Sequence, residues 1–278
     1  MNIAVASGKG GTGKTTVATN LALSIENVQF IDCDVEEPNA NILLKAKIDD
    51  FENISVNIPE IDKTKCDYCG QCSEFCAYNA LAVVPSNVLV FPELCHSCGG
   101  CKLVCPKDAV NWYDRVIGKI EYGHAKEIDF YQGLLNVGEM QAIPVIKALK
   151  RKIDRNKNVI IDVPPGTSCP VIESISGSDY CILVTEPTPF GLYDLKLAIE
   201  VVKHLNIPFG VIINRDGIGD KKVEDYCLSE NISILLKIPE MKMIAHLYSN
   251  GIALVNRVYE WHEMFGLVFN RLKEEVIK

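Results

Sequence analysis

The 278-residue chain is acidic, with a formal net charge of −8. That balance suits neither non-specific nucleic-acid binding nor attachment to an anionic membrane surface, so no nucleic-acid partner is expected. Hydrophobic residues make up 48 % of the chain, which excludes global disorder. No apolar run approaches the ~18–20 residues that a membrane span needs.

The opening residues 2–7 (NIAVAS) read as a buried strand running into a glycine-rich loop, and not as a signal peptide. Gly8-Lys9-Gly10-Gly11-Thr12-Gly13-Lys14-Thr15 satisfies G-x4-G-K-[ST] in full. Helical spacing follows, with Val17, Leu21, Leu23 and Ile25 among the apolar positions. Strand, loop and helix together form the context in which this motif binds phosphate. Glycines let backbone N–H groups turn towards phosphate oxygens, and the helix N-terminus adds partial positive charge. Lys14 would reach the β- and γ-phosphates, and the Thr15 hydroxyl would join the Mg²⁺ shell, with Thr16 beside it. A flexible glycine loop that binds nothing is the alternative, and the flanking elements argue against it.

A second strand, 28–33, ends in Asp32-Cys33-Asp34. From about 58 to 120 the chain becomes loop-rich and carries an internal repeat. Its halves are Cys66-x2-Cys69-x2-Cys72-x3-Cys76 and Cys95-x2-Cys98-x2-Cys101-x3-Cys105-Pro106. This run is the spacing that holds a pair of [4Fe–4S] clusters. Cys-x2-Cys pairs also bind zinc, and cysteines also form disulfides, but two interleaved runs are not the usual zinc pattern. With 12 cysteines, eight of them in these runs beside a nucleotide loop, a reducing cytoplasm is the expected location.

The α/β pattern then resumes. A helix is expected over about 138–156, strands over 158–163, 179–185, 208–214 and 232–238, and helices over 190–205 and 220–229. Strands alternating with helices imply an α/β fold with a mainly parallel, doubly wound sheet. The cysteine unit is expected as a small α+β insert at 58–120 within an ATPase domain formed by 1–57 plus 121–278.

The sequence KGGTGKTT resembles the deviant phosphate loop of the MinD/ParA superfamily, which includes the nitrogenase iron protein and Mrp-type iron–sulfur carriers. The resemblance covers roughly 1–50 and 125–278, and the remainder resembles a bacterial-type ferredoxin. It implies that Lys9 reaches across a nucleotide-sandwich homodimer to the partner's phosphates; a solvated loop lysine is the plainer reading. It implies a switch I at Asp32 and Asp34, with Asp34 orienting the attacking water and Asp32 near the Mg²⁺ shell. Asp162-Val163-Pro164-Pro165-Gly166 resembles switch II, where Asp162 would hold Mg²⁺ through water and the Gly166 amide would sense the γ-phosphate. Asn214-Arg215 and Ile238-Pro239-Glu240 resemble adenine-side segments. The ferredoxin resemblance implies that one cluster takes Cys66, Cys69, Cys72 and Cys105, and the other Cys95, Cys98, Cys101 and Cys76. Ala77 stands where that pattern often has proline.

Cys169 follows switch II in Gly166-Thr167-Ser168-Cys169-Pro170. It reads either as a small packed side chain or as a thiol meeting its copy across a dimer. A shared four-thiolate cluster is doubtful, because Gly138-Glu139-Met140-Gln141 offers no second cysteine. Cys33, Cys181 and Cys227 are expected to be packed, and His96 to be a solvated loop side chain. The basic run Lys147, Lys150, Arg151, Lys152, Arg155 and Lys157 reads as a solvated face or a surface for an acidic partner. Phe265, Val268, Phe269, Leu272 and Val276 form a stripe expected to pack on the chain's own domain rather than on a membrane.

The combined expectation is a slow, partner-stimulated ATPase with ATP/ADP, Mg²⁺ and two [4Fe–4S] clusters. It would couple nucleotide state to electron transfer, or to cluster delivery, towards an acceptor protein. A positioning ATPase with structural clusters, or a ferredoxin-type carrier with a regulatory nucleotide site, are the alternatives; an amidoligase sharing the fold ranks lower.

Overall fold

Strand β1 (Asn2–Ala6) shows how the molecule is layered. Its side chains alternate, Ile3 and Val5 entering one hydrophobic core and Ala4 and Ala6 the other. In the computed structural model, which describes residues 1–277, β1 is central to a nine-stranded sheet. It pairs in parallel with β8 (Asn158–Asp162) on one side and β9 (Tyr180–Thr185) on the other. Beyond β9 lie β10 (Phe209–Asp216) and β11 (Ile234–Pro239); beyond β8 lie β2 (Val28–Asp32) and β7 (Ile128–Leu135), all parallel. Being covered on both faces, β1, β8, β2 and β9 read as near-continuous apolar runs.

Helices cover each face. On one side α1 (Lys14–Leu23) packs with the long C-terminal helix α10 (Tyr259–Ile277), through Val17, Ala18, Leu21, Phe265, Val268, Phe269 and Leu272. The apolar stripe of α10 is therefore turned inward, as its spacing predicts. On the other side lie α5 (Ala142–Lys150), α6 (Cys169–Ile175), α7 (Pro189–His204) and α8 (Lys222–Ser229). A short α2 (Ala40–Leu44) follows β2. The expected helix 138–156 is shorter than its pattern, because the segment before Ala142 is a turn and the chain after Arg151 bends to meet Gln29. There the Asp154 N–H donates to the Gln29 side chain at 2.8 Å.

The sheet continues past β7 in antiparallel fashion. Strand β3 (Lys47–Ile61) and strand β6 (Val110–Ala125) pair along almost their whole length, and β6 pairs with β7. Both expected domain boundaries, 57/58 and 120/121, fall inside these strands, so the backbone has no break at either. Residues 62–109 form a compact unit at the far end of the ribbon. The unit holds α3 (Gln71–Phe75), the hairpin β4 (Leu81–Val84)–β5 (Asn87–Val90), and α4 (Gly100–Leu103). Strand β3 is missing from the sequence expectation for a physical reason. It is the sheet edge, and its first residues KIDDFE are mostly charged and all exposed, so they read as loop. Helix α9 (Lys242–Ser249) completes the fold.

Leu272 is fully buried against the sheet. Leu272→Ala should lower the unfolding free energy by about 2–5 kcal/mol, measured by chemical denaturation. A loss under about 1 kcal/mol would mean that α10 does not carry the core in solution.

Candidate functional site

The carboxyl ends of β1, β8 and β2 lie side by side, and their loops meet there. In an open α/β sheet this edge is where ligands bind. Asp32 and Asp162 are register partners at the ends of adjacent parallel strands. The Cys33 N–H donates to the Asp162 carbonyl at 2.8 Å, and the Gly166 N–H to the Ser7 carbonyl at 3.0 Å. The loop from Gly8 to Thr15 is shaped by close approach. A Cβ on Gly8 would lie 2.1 Å from the Asp194 carbonyl oxygen. Gly13 has φ +92°, and a Cβ there would lie 2.2 Å from Asn214 Nδ2. No side chain caps the start of α1, which leaves its N-terminal amides free for an anion.

Lys14 is buried among acids. Its Nζ lies 3.0 Å from Asp162 Oδ1 and 3.6 Å from Asp34 Oδ2. Burial opposes the Lys14 charge, but Asp162 and Asp34 outweigh it and the pKa is raised. Asp32 is fully buried, and its carboxylate accepts the Asp34 N–H at 3.0 Å and the Ala40 N–H at 3.2 Å. Burial first, and Asp162 second, push Asp32 up to about 8. Asp34 is raised as well, by burial. Asp162 Oδ2 is buried with no hydrogen-bond partner among the described residues. Three carboxylates thus share one ammonium, and one oxygen is orphaned. That is the donor set a hydrated divalent cation with a triphosphate fits, although no three His, Cys, Asp or Glu side chains converge closely on a single ion among the described residues.

A cavity of 520 Å³ opens beside the loop. Gly10, Gly11, Gly13, Lys14, Thr15, Thr16 and Asp34 line it, with Asn214, Arg215 and Pro239 on the far side. Gly8, Lys9, Thr12, Asp32, Asp162 and Gly166 do not form its wall. Asn214 does more than face the cavity, because its Nδ2 donates to the Thr12 carbonyl at 2.8 Å and braces the loop. Sequence reasoning missed Met241, Ile244, Ala245 and Tyr248, which close one side from α9. Their i, i+3, i+4, i+7 spacing was the available signal. It also missed Glu186, the residue just after β9. Lys9 Nζ donates to Glu186 Oε1, and Arg215 Nη1 lies 3.3 Å from Oε2. Lys9 is therefore engaged within its own chain in this state.

The cysteine unit gathers its thiols in two groups. Cys66, Cys69, Cys72 and Cys105 line one small cavity with Ile61, Val83, Val88 and Val110. Cys76, Cys95, Cys98 and Cys101 line another with Phe75, Tyr78, Leu81 and Trp112. Each group draws three cysteines from one repeat and the fourth from the other. The backbone repeats too. Tyr68 and Ser97, Gly70 and Gly99, and Asn79 and Asp108 are pairs at matching offsets, all with positive φ. The Ala80 N–H donates to Cys76 Sγ and the Ala109 N–H to Cys105 Sγ, each at 3.3 Å. Burial raises the Cys72 and Cys95 thiols, and burial with Cys95 nearby lifts Cys101 to about 11. The raised Cys72, Cys95 and Cys101 thiols would release protons on binding a cluster as thiolates. Thiol donors spread around an apolar cavity fit a cubane better than a single ion.

Cys169 belongs to neither group. It is exposed at the start of α6 and borders a groove of 970 Å³ shared with His96, Ser97, Met140 and Lys147. His96 stacks on Tyr78, with ring centroids 3.6 Å apart. Cys33, Cys181 and Cys227 are buried as expected. The basic run is largely spent within the chain. Lys150 donates to the carbonyls of Glu173 and Ser176 at the end of α6, Lys152 pairs with Glu52, and Lys157 with Asp129.

This is a P-loop nucleotide site on a mostly parallel α/β sheet, of the MinD type. Residues 3–255 match the CobQ/CobB/MinD/ParA nucleotide binding domain, and the chain belongs to that family. It is 34 % identical over 262 residues to the uncharacterized protein MJ0579 of Methanocaldococcus jannaschii, covering 90 % of each chain. It is 25 % identical over 302 residues to an iron-sulfur cluster carrier protein of Pyrococcus horikoshii, covering 98 % of this chain and 86 % of that one. Among solved structures, the cell division ATPase MinD of Pyrococcus furiosus superposes with a TM-score of 0.59 at 18 % identity. That match covers 97 % of this chain and 98 % of the other, and shows the shared fold. No helix among the described residues is long and apolar enough to cross a membrane.

The raised Asp32 carboxyl sets a pH dependence. Between its unfolded value of 3.8 and its folded value of about 8, the folded state binds more protons than the unfolded one, so stability falls as pH rises. The metal-free and nucleotide-free protein should melt at lower temperature at pH 8 than at pH 5, and Mg²⁺ with nucleotide should stabilise it more at pH 8. Thermal melts with and without Mg²⁺-ADP check this, and a flat profile would contradict it. Gly13→Ala should abolish nucleotide binding in a calorimetric titration, because a φ of +92° strains any side chain there and the added methyl group would displace the Asn214 amide that braces the loop.

Proposed function

We propose that this chain is an ATP-driven redox protein, in which the nucleotide state of a sandwich homodimer is transmitted to a ferredoxin-like cysteine unit serving an acceptor protein. The loop amides and Lys14 would hold the β- and γ-phosphates of Mg²⁺-ATP. Thr15 would ligate its Mg²⁺ directly and Asp162 through water, with Asp32 behind them. Asp34 would orient the attacking water. Lys9 of each protomer would neutralise charge developing on the other's γ-phosphoryl group. For the Gly166 amide to sense that group, it must exchange its bond to the Ser7 carbonyl. Asn214, Arg215 and Pro239 would face the base.

Cys66, Cys69, Cys72 and Cys105 would hold one [4Fe–4S] cluster, and Cys95, Cys98, Cys101 and Cys76 the other; when bound, these groups supply one-electron storage. Around them the aliphatic and aromatic walls limit water, and the backbone N–H···S bonds stabilise thiolate charge.

The observation that carries this reading is the route between the two sites. Switch I continues from β2, and the Val35 carbonyl accepts the Leu135 N–H of β7 at 2.8 Å. Leu135 is in register with Gly118 of β6, the strand that leads out of the cysteine unit. On the opposite side, Gln141 Nε2, just before α5, donates to the Cys95 carbonyl at 2.7 Å. A shift of switch I on γ-phosphate binding would therefore be felt at the cysteine unit without crossing a flexible linker.

Cluster delivery is a second reading. The exposed thiol of Cys169, outside both cavities, and the similarity to the iron-sulfur cluster carrier protein of Pyrococcus horikoshii favour it.

Anaerobically purified protein should be brown and contain iron for two four-iron clusters. Cys69→Ser and Cys98→Ser should each remove about half of it. Dithionite titration with and without Mg²⁺-ATP should show a nucleotide-dependent midpoint or reoxidation rate. Colourless, zinc-loaded protein would sink the redox reading. Cys169→Ser should leave the iron content unchanged; if it abolishes iron transfer to an apo-acceptor, delivery is the better reading.

A further inference from the structure

Strand β3 is the free edge of the nine-stranded sheet, and its middle borders the groove of 970 Å³ that also takes in His96, Ser97 and Cys169. The direction of its backbone groups follows from its ladder. Every residue from Asp50 to Ile61 has its own register partner on β6, so β3 carries no extra residue there. Just beyond, the Asp62 N–H donates inward to the Ala109 carbonyl at 2.8 Å, while the Asn57 carbonyl accepts outward from the Ser97 hydroxyl. Backbone direction alternates along a strand. Asn53, Ser55 and Asn57 therefore turn their N–H and C=O groups away from β6. Pro59, which has no N–H to donate, holds the next outward place, as an edge strand allows.

Sheet edges are usually blunted, and this one is closed at both ends. Pro59 and the Ser97 bond stop it on one side, and the Lys152–Glu52 ion pair stops it on the other. The stretch between them is open. Its side chains alternate, with Ile54 and Val56 packed into the core beside Val145 and Leu149 of α5. The opposite wall of the groove is the outer flank of α5, where Ile143, Lys147 and Arg151 recur at four-residue spacing. The Lys147 side chain is 54 % exposed, and Glu173 lies 3.9 Å from its Nζ. Arg151 is exposed. The lining holds three basic side chains against one carboxylate, Glu52, on a chain whose net charge is −8.

We propose that this groove docks an extended acidic segment of the acceptor protein, which adds as a further strand along Asn53–Asn57 and sets its carboxylates against Lys147 and Arg151. This rests on the reading that the cysteine unit serves an acceptor. Main-chain bonds to the open edge supply affinity, and the basic row supplies the choice of partner. His96 lines both the groove and the cavity of Cys95, Cys98 and Cys101. A segment docked here therefore lies alongside the second cysteine cavity.

The test uses the full, anaerobically prepared chain and a fluorescein-labelled peptide of about eight residues, a strand's length, in which glutamate alternates with threonine. Followed by fluorescence anisotropy, it should bind at least about tenfold more tightly than the same peptide with lysine in place of glutamate. That preference should shrink as salt rises. Hydrogen exchange at Asn53–Asn57 should slow when the peptide is present. Ser55→Pro removes one outward N–H and leaves the ladder to β6 intact. It should weaken binding by about tenfold, with iron content and Mg²⁺-ATP binding unchanged. Lys147→Gln combined with Arg151→Gln should abolish the preference for glutamate, and serves if the proline variant does not fold. If the acidic peptide binds no better than the basic one, or binds without protecting Asn53–Asn57, the docking site is overturned. If the nucleotide-free protein is a dimer that Ser55→Pro dissociates, the edge pairs with a second copy and the proposal falls. Colourless protein that still binds the acidic peptide keeps the docking site and removes only its redox role. Brown, ATP-responsive protein that ignores the peptide overturns the docking site alone.

Discussion

One ammonium group facing three carboxylates organises this molecule. Lys14 is held between Asp162 and Asp34, with Asp32 buried behind them. Each acid lies at or just past the end of a central strand, where the parallel arrangement of β1, β8 and β2 delivers it without any long loop. Burying more negative than positive charge is unfavourable. The chain tolerates it by raising the Asp32 and Asp34 carboxyl pKa values, while Asp162 Oδ2 has no hydrogen-bond partner among the described residues. A cationic ligand relieves the imbalance. The same strand ends that carry the acids start the segments after β2 and β8, so a cation that neutralised the acids would act directly on both.

The second constraint is mechanical. A unit of some fifty residues has too little core to stand alone without bound metal or a neighbour, and its own apolar cluster centres on only Leu81, Val88, Cys101 and Val110. Here the unit grows out of the main sheet through β3 and β6, whose pairing runs from Lys47–His124 to Ile61–Val110. A two-stranded ribbon transmits twist and bending in a way that a flexible tether cannot. Ser97 adds a bond from its hydroxyl to the Asn57 carbonyl, pinning the second cysteine loop to the edge of the ribbon. A displacement of β2 would therefore have a continuous hydrogen-bonded path to follow through β7 and β6.

Much of this was legible in the residues. The phosphate loop has an eight-residue signature and a dictated context, so its place at the sheet centre followed from NIAVAS and the helix after it. The buried parallel strands announce themselves as uninterrupted Val/Ile/Leu runs. The stripe Phe265, Val268, Phe269, Leu272 and Val276 marked α10 correctly as packed on the sheet. What escaped has common causes. Strands β3 and β6 are long and half-exposed, and they are mostly polar, because only one face meets the core; such strands lack the continuous hydrophobic signal. Helix α9 looked unremarkable because its apolar face covers the nucleotide cavity and not the main core. Glu186 belongs to no motif, and its two partners lie far from it in sequence. Only the fold shows that it serves both Lys9 and Arg215.

The internal repeat of the cysteine unit suggests two equivalent cavities, yet attachment makes them unequal. Cys95 and Ala80 pack into the large core shared with α5 and α6, while Cys66, Cys72 and Cys105 pack only against the satellite cluster. The Cys95 loop also receives Gln141. On β6 nearby, Arg115 is tied to Glu139, with Nη2 2.5 Å from Oε2. Burial, hydrogen bonding and local charge are the levers by which a protein tunes such a site, and all three differ between the halves. The Cys95 cavity is the one tied to the ATPase body, and the Cys66 cavity is held by the satellite cluster. A backbone repeat at matching offsets is thereby given two unequal cavities, set apart by how each is attached to the sheet.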